Sequence, residues 1–211
     1  GVRIADPEYV QELRQFCDQE NILLIVDEVQ SGFGRTGETF ASDLYDIKPD
    51  LMILGKALGG GILPVSAVVG RRDVLGLLTA GTHGSTFGGN PLAAAVAREA
   101  IRIMNSGEPQ ENARTRGKQL GDCLRALREQ YPEVVLDVSQ VGLWAGIEFN
   151  PWVASGREVC ELMMDRGVLM KDAHGSVVRI SPPLSITESE LNVLCRALTD
   201  TVAGLAQHQP A

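Results

Sequence analysis

What this chain lacks narrows its chemistry. No apolar run approaches the roughly 18 residues that a bilayer-crossing helix needs. A basic surplus is missing as well: 27 acidic side chains against 19 basic ones leave a formal charge of −8. A nucleic-acid partner calls for the opposite balance, although a small anion can still be held by a local arrangement. Cysteine is scarce. Cys17, Cys123, Cys160 and Cys195 form no CxxC pair, which argues against a zinc cluster or a disulfide framework and for reduced thiols in a cytoplasmic protein. Three scattered histidines add nothing toward a metal site. Internal repeats and low-complexity stretches are absent too.

What is present is the composition of a globular protein, 44% hydrophobic and 22% charged over 211 residues. That length suffices for one or two domains with a buried core. The chain opens on Gly1 and enters a helix pattern at once, as a stretch from the middle of a longer protein would.

The pattern along the chain alternates. Val10, Leu13, Phe16 and Cys17 recur at helical spacing behind Asp6-Pro7, a cap followed by a first-turn proline, so a helix is expected over Pro7–Glu20. Ile22–Val26 and Leu51–Leu54 are short continuous apolar runs, the mark of buried parallel strands. Pro64–Val69 is a third β-like run, with a helix after it over Arg71–Leu78. Asn90-Pro91 repeats the cap signal ahead of an alanine-rich helix, Pro91–Met104. Gly and Pro interrupt near Asn105–Pro109, and a long polar helix follows at about Glu111–Gln130. Strands are then expected at Val134–Val138, Leu143–Phe149, Val168–Lys171 and Val177–Ile180, with a helix over Gly156–Arg166 among them. A last helix covers Thr187–Leu205, opened by a Thr187/Glu190 capping box. The expected fold class is α/β for residues 1–105, then a linker helix and a smaller α+β domain over 106–211.

Three segments carry chemistry. Leu23-Leu24-Ile25-Val26-Asp27-Glu28 is an apolar strand ending in two carboxylates, placed where α/β sheets bind ligands. The second strand ends in Gly55-Lys56-Ala57-Leu58 and three glycines, so Lys56 is expected at the same edge, where a lysine near a carboxylate suits a nucleophilic amine. Each has a plainer reading. A strand followed by Asp-Glu is also the Walker B pattern of ATPases, and a lysine after a strand is ordinarily a solvated end. The phosphate loop such an ATPase needs is not found around Lys56, since Asp50 and Ala57 occupy the positions of its first glycine and its hydroxyl. The third segment, Thr82-His83-Gly84-Ser85-Thr86-Phe87-Gly88-Gly89-Asn90-Pro91, gathers hydroxyls, glycines and a helix start, which suits a phosphate and equally suits a structural turn.

Together, Asp27-Glu28-Val29-Gln30, Gly55 to Gly61 and His83 to Pro91, in this order and spacing, resemble the class III aminotransferases of fold-type I. The resemblance covers essentially the whole chain. It implies the carboxyl-terminal part of the large cofactor-binding domain followed by the small carboxyl-terminal domain, and pyridoxal 5′-phosphate as cofactor. By the same resemblance Lys56 is the catalytic lysine that holds the cofactor as a Schiff base. Asp27 faces the pyridine nitrogen, and Gln30 contacts the ring hydroxyl. Ser85 and Thr86 bind the cofactor phosphate from the neighbouring subunit of a homodimer, and Arg179 takes a substrate carboxylate. The Gly34-Arg35-Thr36-Gly37 loop is assigned to structure near the site. Trp144 and Trp152 are read as packing, and Glu28 has no chemical role.

The family chain is about twice this long. The resemblance therefore implies that its first half supplies the glycine-rich phosphate turn, the aromatic stacked on the ring and several substrate contacts, and that this chain alone makes an incomplete site. Gly60 to Val68 and His83 to Thr86 look most like the ornithine aminotransferases, which pass a δ-amino group to 2-oxoglutarate. Acetylornithine and other ω-amino acid aminotransferases are the near alternatives. A non-catalytic relic and a Walker-type ATPase are the alternatives from other classes.

Overall fold

A computed structural model describes residues 2–207. The chain forms two compact units, Ala5–Gln110 and the leading stretch through Ile4 together with Glu111 onward.

The first unit starts with helix α1 (Pro7–Gln19). Asp6 caps it by accepting from the Glu8 amide at 2.8 Å, and Pro7 fills the first turn, where a missing N–H costs nothing. Strand β1 (Ile25–Asp27) lies parallel to β2 (Leu51–Leu54), with Asp27 opposite Ile53. The short helix α2 (Ala41–Leu44) stands between them in sequence. β3 (Ala67–Gly70) runs antiparallel to β2, and α3 (Arg72–Leu75) and α4 (Pro91–Met104) complete the unit.

Several expected boundaries move, for local reasons. β1 begins three residues late because Asn21 turns with φ +53° and the Ile22 amide closes α1 on the Cys17 carbonyl at 2.8 Å. The strand is also less buried than a continuous apolar run suggests. Ile25 is 52% exposed, since nothing among the described residues covers that side of it. β3 leaves out Pro64, which has no N–H to give a ladder. α3 stops at Leu75, just before Gly76.

One buried carboxylate ties this unit together. Asp50 accepts from the Leu24 amide at 2.8 Å, from Arg14 at 2.9 Å and from Arg71 at 2.8 Å. The hydrogen bond from Leu24 and the two guanidinium groups hold its carboxyl well below the usual carboxylate range. The helix, the lead-in to β1 and the exit from β3 thereby meet at one charge.

The second unit is a four-stranded antiparallel sheet in the order β4 (Val135–Val141), β5 (Trp144–Phe149), β7 (Val177–Ile180), β6 (Lys171–Asp172). Residues of α5 (Glu108–Gln130), α6 (Gly156–Asp165) and α7 (Glu188–Gln207) join it in one core. Leu120, Leu124, Ile147, Phe149, Leu191 and Leu198 are fully buried there, each worth roughly 1.5–3 kcal/mol relative to exposure. Thr187 caps α7 with Glu190 reaching back at 2.8 Å to its amide, which is the expected capping box. The strand expected at Val168–Lys171 shrinks to two residues. The Val168 amide is spent on the Met163 carbonyl at the end of α6, after Gly167 turns with φ +78°. Trp152 corrects the packing expectation, for it lies in the turn after Asn150 and is 94% exposed.

Candidate active site

The parallel pairing of β1 with β2 puts their carboxyl ends at one edge of the sheet. Asp27 is the last residue of β1, and Lys56 lies two residues beyond the end of β2. Lys56 opens a single 3₁₀ turn, Lys56–Gly59, with φ +42°. A side-chain-bearing residue in that left-handed region costs about 1–3 kcal/mol, held here by the hydrogen bonds Leu58 N–H to Gly55 O (3.0 Å) and Gly60 N–H to Ala57 O (2.9 Å). The Lys56 side chain is exposed, and among the described residues its amine has no hydrogen-bond or ionic partner.

Asp27 is tied by one oxygen only. Its Oδ1 accepts from the Val29 amide at 2.9 Å, and its other oxygen has no partner among the described residues. Gln30 is half-buried in the turn that follows. Glu28, to which the sequence assigned no role, is fully buried between these two and accepts four hydrogen bonds.

Ser85 joins Lys56 in lining a cavity of about 510 Å³, together with Gly55, Val29, Ser66 and Asn90. The Ser85 hydroxyl accepts from the Gly88 amide at 3.0 Å. A Cβ at Gly88 would stand 2.8 Å from the Ser85 Cβ, so that turn demands glycine. Thr86 does not line that cavity, and its exposed hydroxyl has no partner among the described residues. Asn90 anchors the loop twice. Its Oδ1 caps α4 through the Ala93 amide at 2.9 Å, and its Nδ2 donates to the Phe87 carbonyl at 2.8 Å.

In the Gly34–Gly37 loop, Thr36 is buried and Phe33 meets Phe40 edge-on with centroids 5.7 Å apart. The loop is packed, in keeping with a structural role.

Arg179 belongs to the second unit. Val178 and Ile180 enter the core, so strand alternation turns Arg179 to the opposite face. Its Nε is buried without a hydrogen-bond partner. It lines a cavity of about 560 Å³ with Leu169, Met170, Lys171, Glu190 and Leu194, and Lys171 is its direct partner across the β6–β7 pairing. Lys171 is paired with Asp172 at 2.8 Å, and Glu190 adds a carboxylate to the cavity, so Arg179 is the cation of this face without a counter-ion among the described residues.

These features define an amine, a half-free carboxylate and a hydroxyl loop on one unit, with an unpaired guanidinium on the other. Comparison with known proteins gives the family. Residues 1–202 match the class-III aminotransferase model, and the chain belongs to that family. Ornithine aminotransferase 1 of Staphylococcus saprophyticus is 43% identical over 96% of this chain and 50% of its own length. An ornithine aminotransferase from Toxoplasma gondii, solved with partial occupancy of PLP at its active site, is 37% identical with a TM-score of 0.93, over 98% of this chain and 49% of that one. An acetylornithine aminotransferase from Elizabethkingia anophelis follows at 35% and 0.86, over 97% and 54%. The chain thus spans about half the length of these relatives. The fold is part of the fold-type I aminotransferase architecture, and no ATPase reading survives.

Proposed function

We propose that this chain carries the lysine-bearing part of a pyridoxal-phosphate-dependent aminotransferase. Our reading is that it moves the δ-amino group of ornithine to 2-oxoglutarate, giving glutamate semialdehyde and glutamate. The observation that carries it is the placement of the unpartnered Lys56 at the same sheet edge as Asp27, in a chain of this family.

The chemistry of these residues suits the cofactor. Lys56 would hold it through its amine, which nothing among the described residues competes for. Asp27 has one oxygen fixed by its own turn and the other free to accept from a ring N–H. Gln30 would meet the ring hydroxyl, and Ser85 and Thr86 would meet the cofactor phosphate of the neighbouring subunit in a homodimer. When bound, pyridoxal phosphate supplies a carbonyl for amine exchange and a ring that takes up an electron pair. Asp27 would keep the ring nitrogen protonated, because a nearby carboxylate favours the cationic form. The Lys56 amine, at the reacting edge, would be the base that moves the substrate proton. Arg179 orients the substrate by its carboxylate through a planar two-pronged contact.

The names of the relatives support ornithine, and the acetylornithine aminotransferase makes N-acetylornithine the second donor to try. We also place the protein in the cytoplasm as a homodimer. All four cysteines are free thiols, in keeping with a reducing compartment. The test is to supply the intact protein with pyridoxal phosphate, ornithine and 2-oxoglutarate and measure semialdehyde. Formation of product that is lost in Lys56→Ala supports the proposal. Normal turnover by Lys56→Ala, or transfer from N-acetylornithine alone, overturns it.

A further inference from the structure

The Glu28 carboxylate is fully buried, and among the described residues no cation faces it. Four neutral donors do. Oε1 accepts from the Ser42 amide at 2.7 Å and the Ser42 hydroxyl at 2.8 Å. Oε2 accepts from the Ala41 amide at 3.0 Å and the Ser31 hydroxyl at 2.5 Å. Four donors fill the acceptor capacity of a carboxylate, which can donate nothing in return. Glu28 therefore anchors the turn after β1 to the start of α2, 13 and 14 residues further along. Its backbone works the same way. The Glu28 amide donates to Ile53 O at 2.9 Å, extending the β1–β2 ladder, and its carbonyl accepts from the Gly32 amide at 3.0 Å. A Cβ at Gly32 would fall 2.8 Å from that carbonyl, so only glycine closes this turn without a shift.

Consecutive residues at a strand end face opposite sides. Burying Glu28 accordingly fixes which way Asp27 points, and the turn it closes carries Gln30. We infer that Glu28 is a positioning residue for the cofactor-binding edge: its buried carboxylate sets the direction of Asp27 and the height of Gln30. The inference rests on the reading that Asp27 and Gln30 face the cofactor ring. It differs from a stability role in what it moves, because a small rotation of Asp27 changes how the ring nitrogen is held while the fold persists.

Glu28→Gln is the informative change. It keeps the shape but sets an NH₂ against two of the four donors. Intact protein would be compared as wild type, Glu28→Gln, Ser42→Ala and Asp27→Asn. Thermal unfolding checks the fold. Affinity of the apo-protein for pyridoxal phosphate, the pH titration of the holoenzyme's visible band, and kcat against KM are then measured. In Glu28→Gln, cofactor affinity and kcat are expected to fall about 10- to 100-fold, as for a misplacement of under an ångström or so. KM for the amino donor should change little, and the band should shift in the direction seen with Asp27→Asn. Ser42→Ala, which removes one donor, should move the same readouts less. A folded Glu28→Gln with wild-type affinity, band and kcat overturns the inference while Asp27→Asn remains altered. An unaltered Asp27→Asn sinks the underlying reading of Asp27 instead. Should Glu28→Gln fail to fold, Ser42→Ala decides: a shifted band supports positioning, and wild-type values refute it.

Discussion

Replacing Arg179 with alanine takes away the one buried, unpartnered guanidinium nitrogen on the outer face of β7. A carboxylate held by a planar fork gains two charge-assisted hydrogen bonds, each worth about 1.5–3 kcal/mol net. Water re-entering the emptied space recovers part of this, which leaves an expected loss of about 2–4 kcal/mol, or roughly 30- to 1,000-fold in KM. Arg179→Lys keeps the charge and gives up the fork, so its KM should rise by only about tenfold. Initial rates would be recorded while the amino donor and the oxo acid are varied in turn, with cofactor affinity measured separately. The expected pattern is a raised KM with cofactor binding intact, because Arg179 sits on a different unit from Lys56. An unchanged KM for both substrates would refute the reasoning and leave Arg179 an ordinary strand residue.

Asp27→Ala should still bind pyridoxal phosphate but turn over far more slowly, since the ring nitrogen loses its partner; equal rates would contradict the assigned role. Asp50→Asn should destabilise the first unit by about 1–3 kcal/mol, because Arg14 and Arg71 lose their shared carboxylate while Arg14 keeps Asp18 at 2.6 Å. The folded-state carboxyl of Asp50 is depressed, so its contribution is complete above the ordinary carboxylate pKa of about 4 and fades as pH falls below it. Wild type and Asp50→Asn should therefore converge in acid, and denaturant unfolding at a series of pH values reads this directly. Mixed dimers of Lys56→Ala with Thr86→Ala should regain activity if Thr86 serves the partner subunit's site; verified mixed dimers that stay inactive would assign Thr86 elsewhere.

The sequence was most legible where structure is local. Asp6, Asn90 and Thr187 announce three helix starts because each cap bonds within three residues of itself. Lys56 and Asp27 could be brought to one edge from two apolar runs, since parallel strands share their carboxyl ends. Glu28 and Asp50 were opaque for the opposite reason. Apart from Ser31, their partners lie from 13 to 36 residues away, so an acid in the sequence gives no sign that it is buried and satisfied. The run Ile22–Val26 misled on its own terms: its residues are apolar, but Ile22 closes the preceding helix, Leu24 bonds to Asp50, and Ile22, Leu23 and Ile25 stand about half exposed. Trp152 shows the same limit, because bulk alone does not say that a turn will carry a side chain outward.

Asn90 has one further consequence. Its side-chain oxygen starts α4 and its side-chain nitrogen grips the loop through Phe87, so a single amide reads in both directions. The loop bearing Ser85 and Thr86 is thus geared to the helix behind it. It cannot swing away unless that amide lets go or the first helical turn frays. Asn90→Asp would uncouple the gear, retaining the acceptor that starts the helix and losing the donor that grips the loop. Any slack that appears in the hydroxyls would then be traceable to one hydrogen bond.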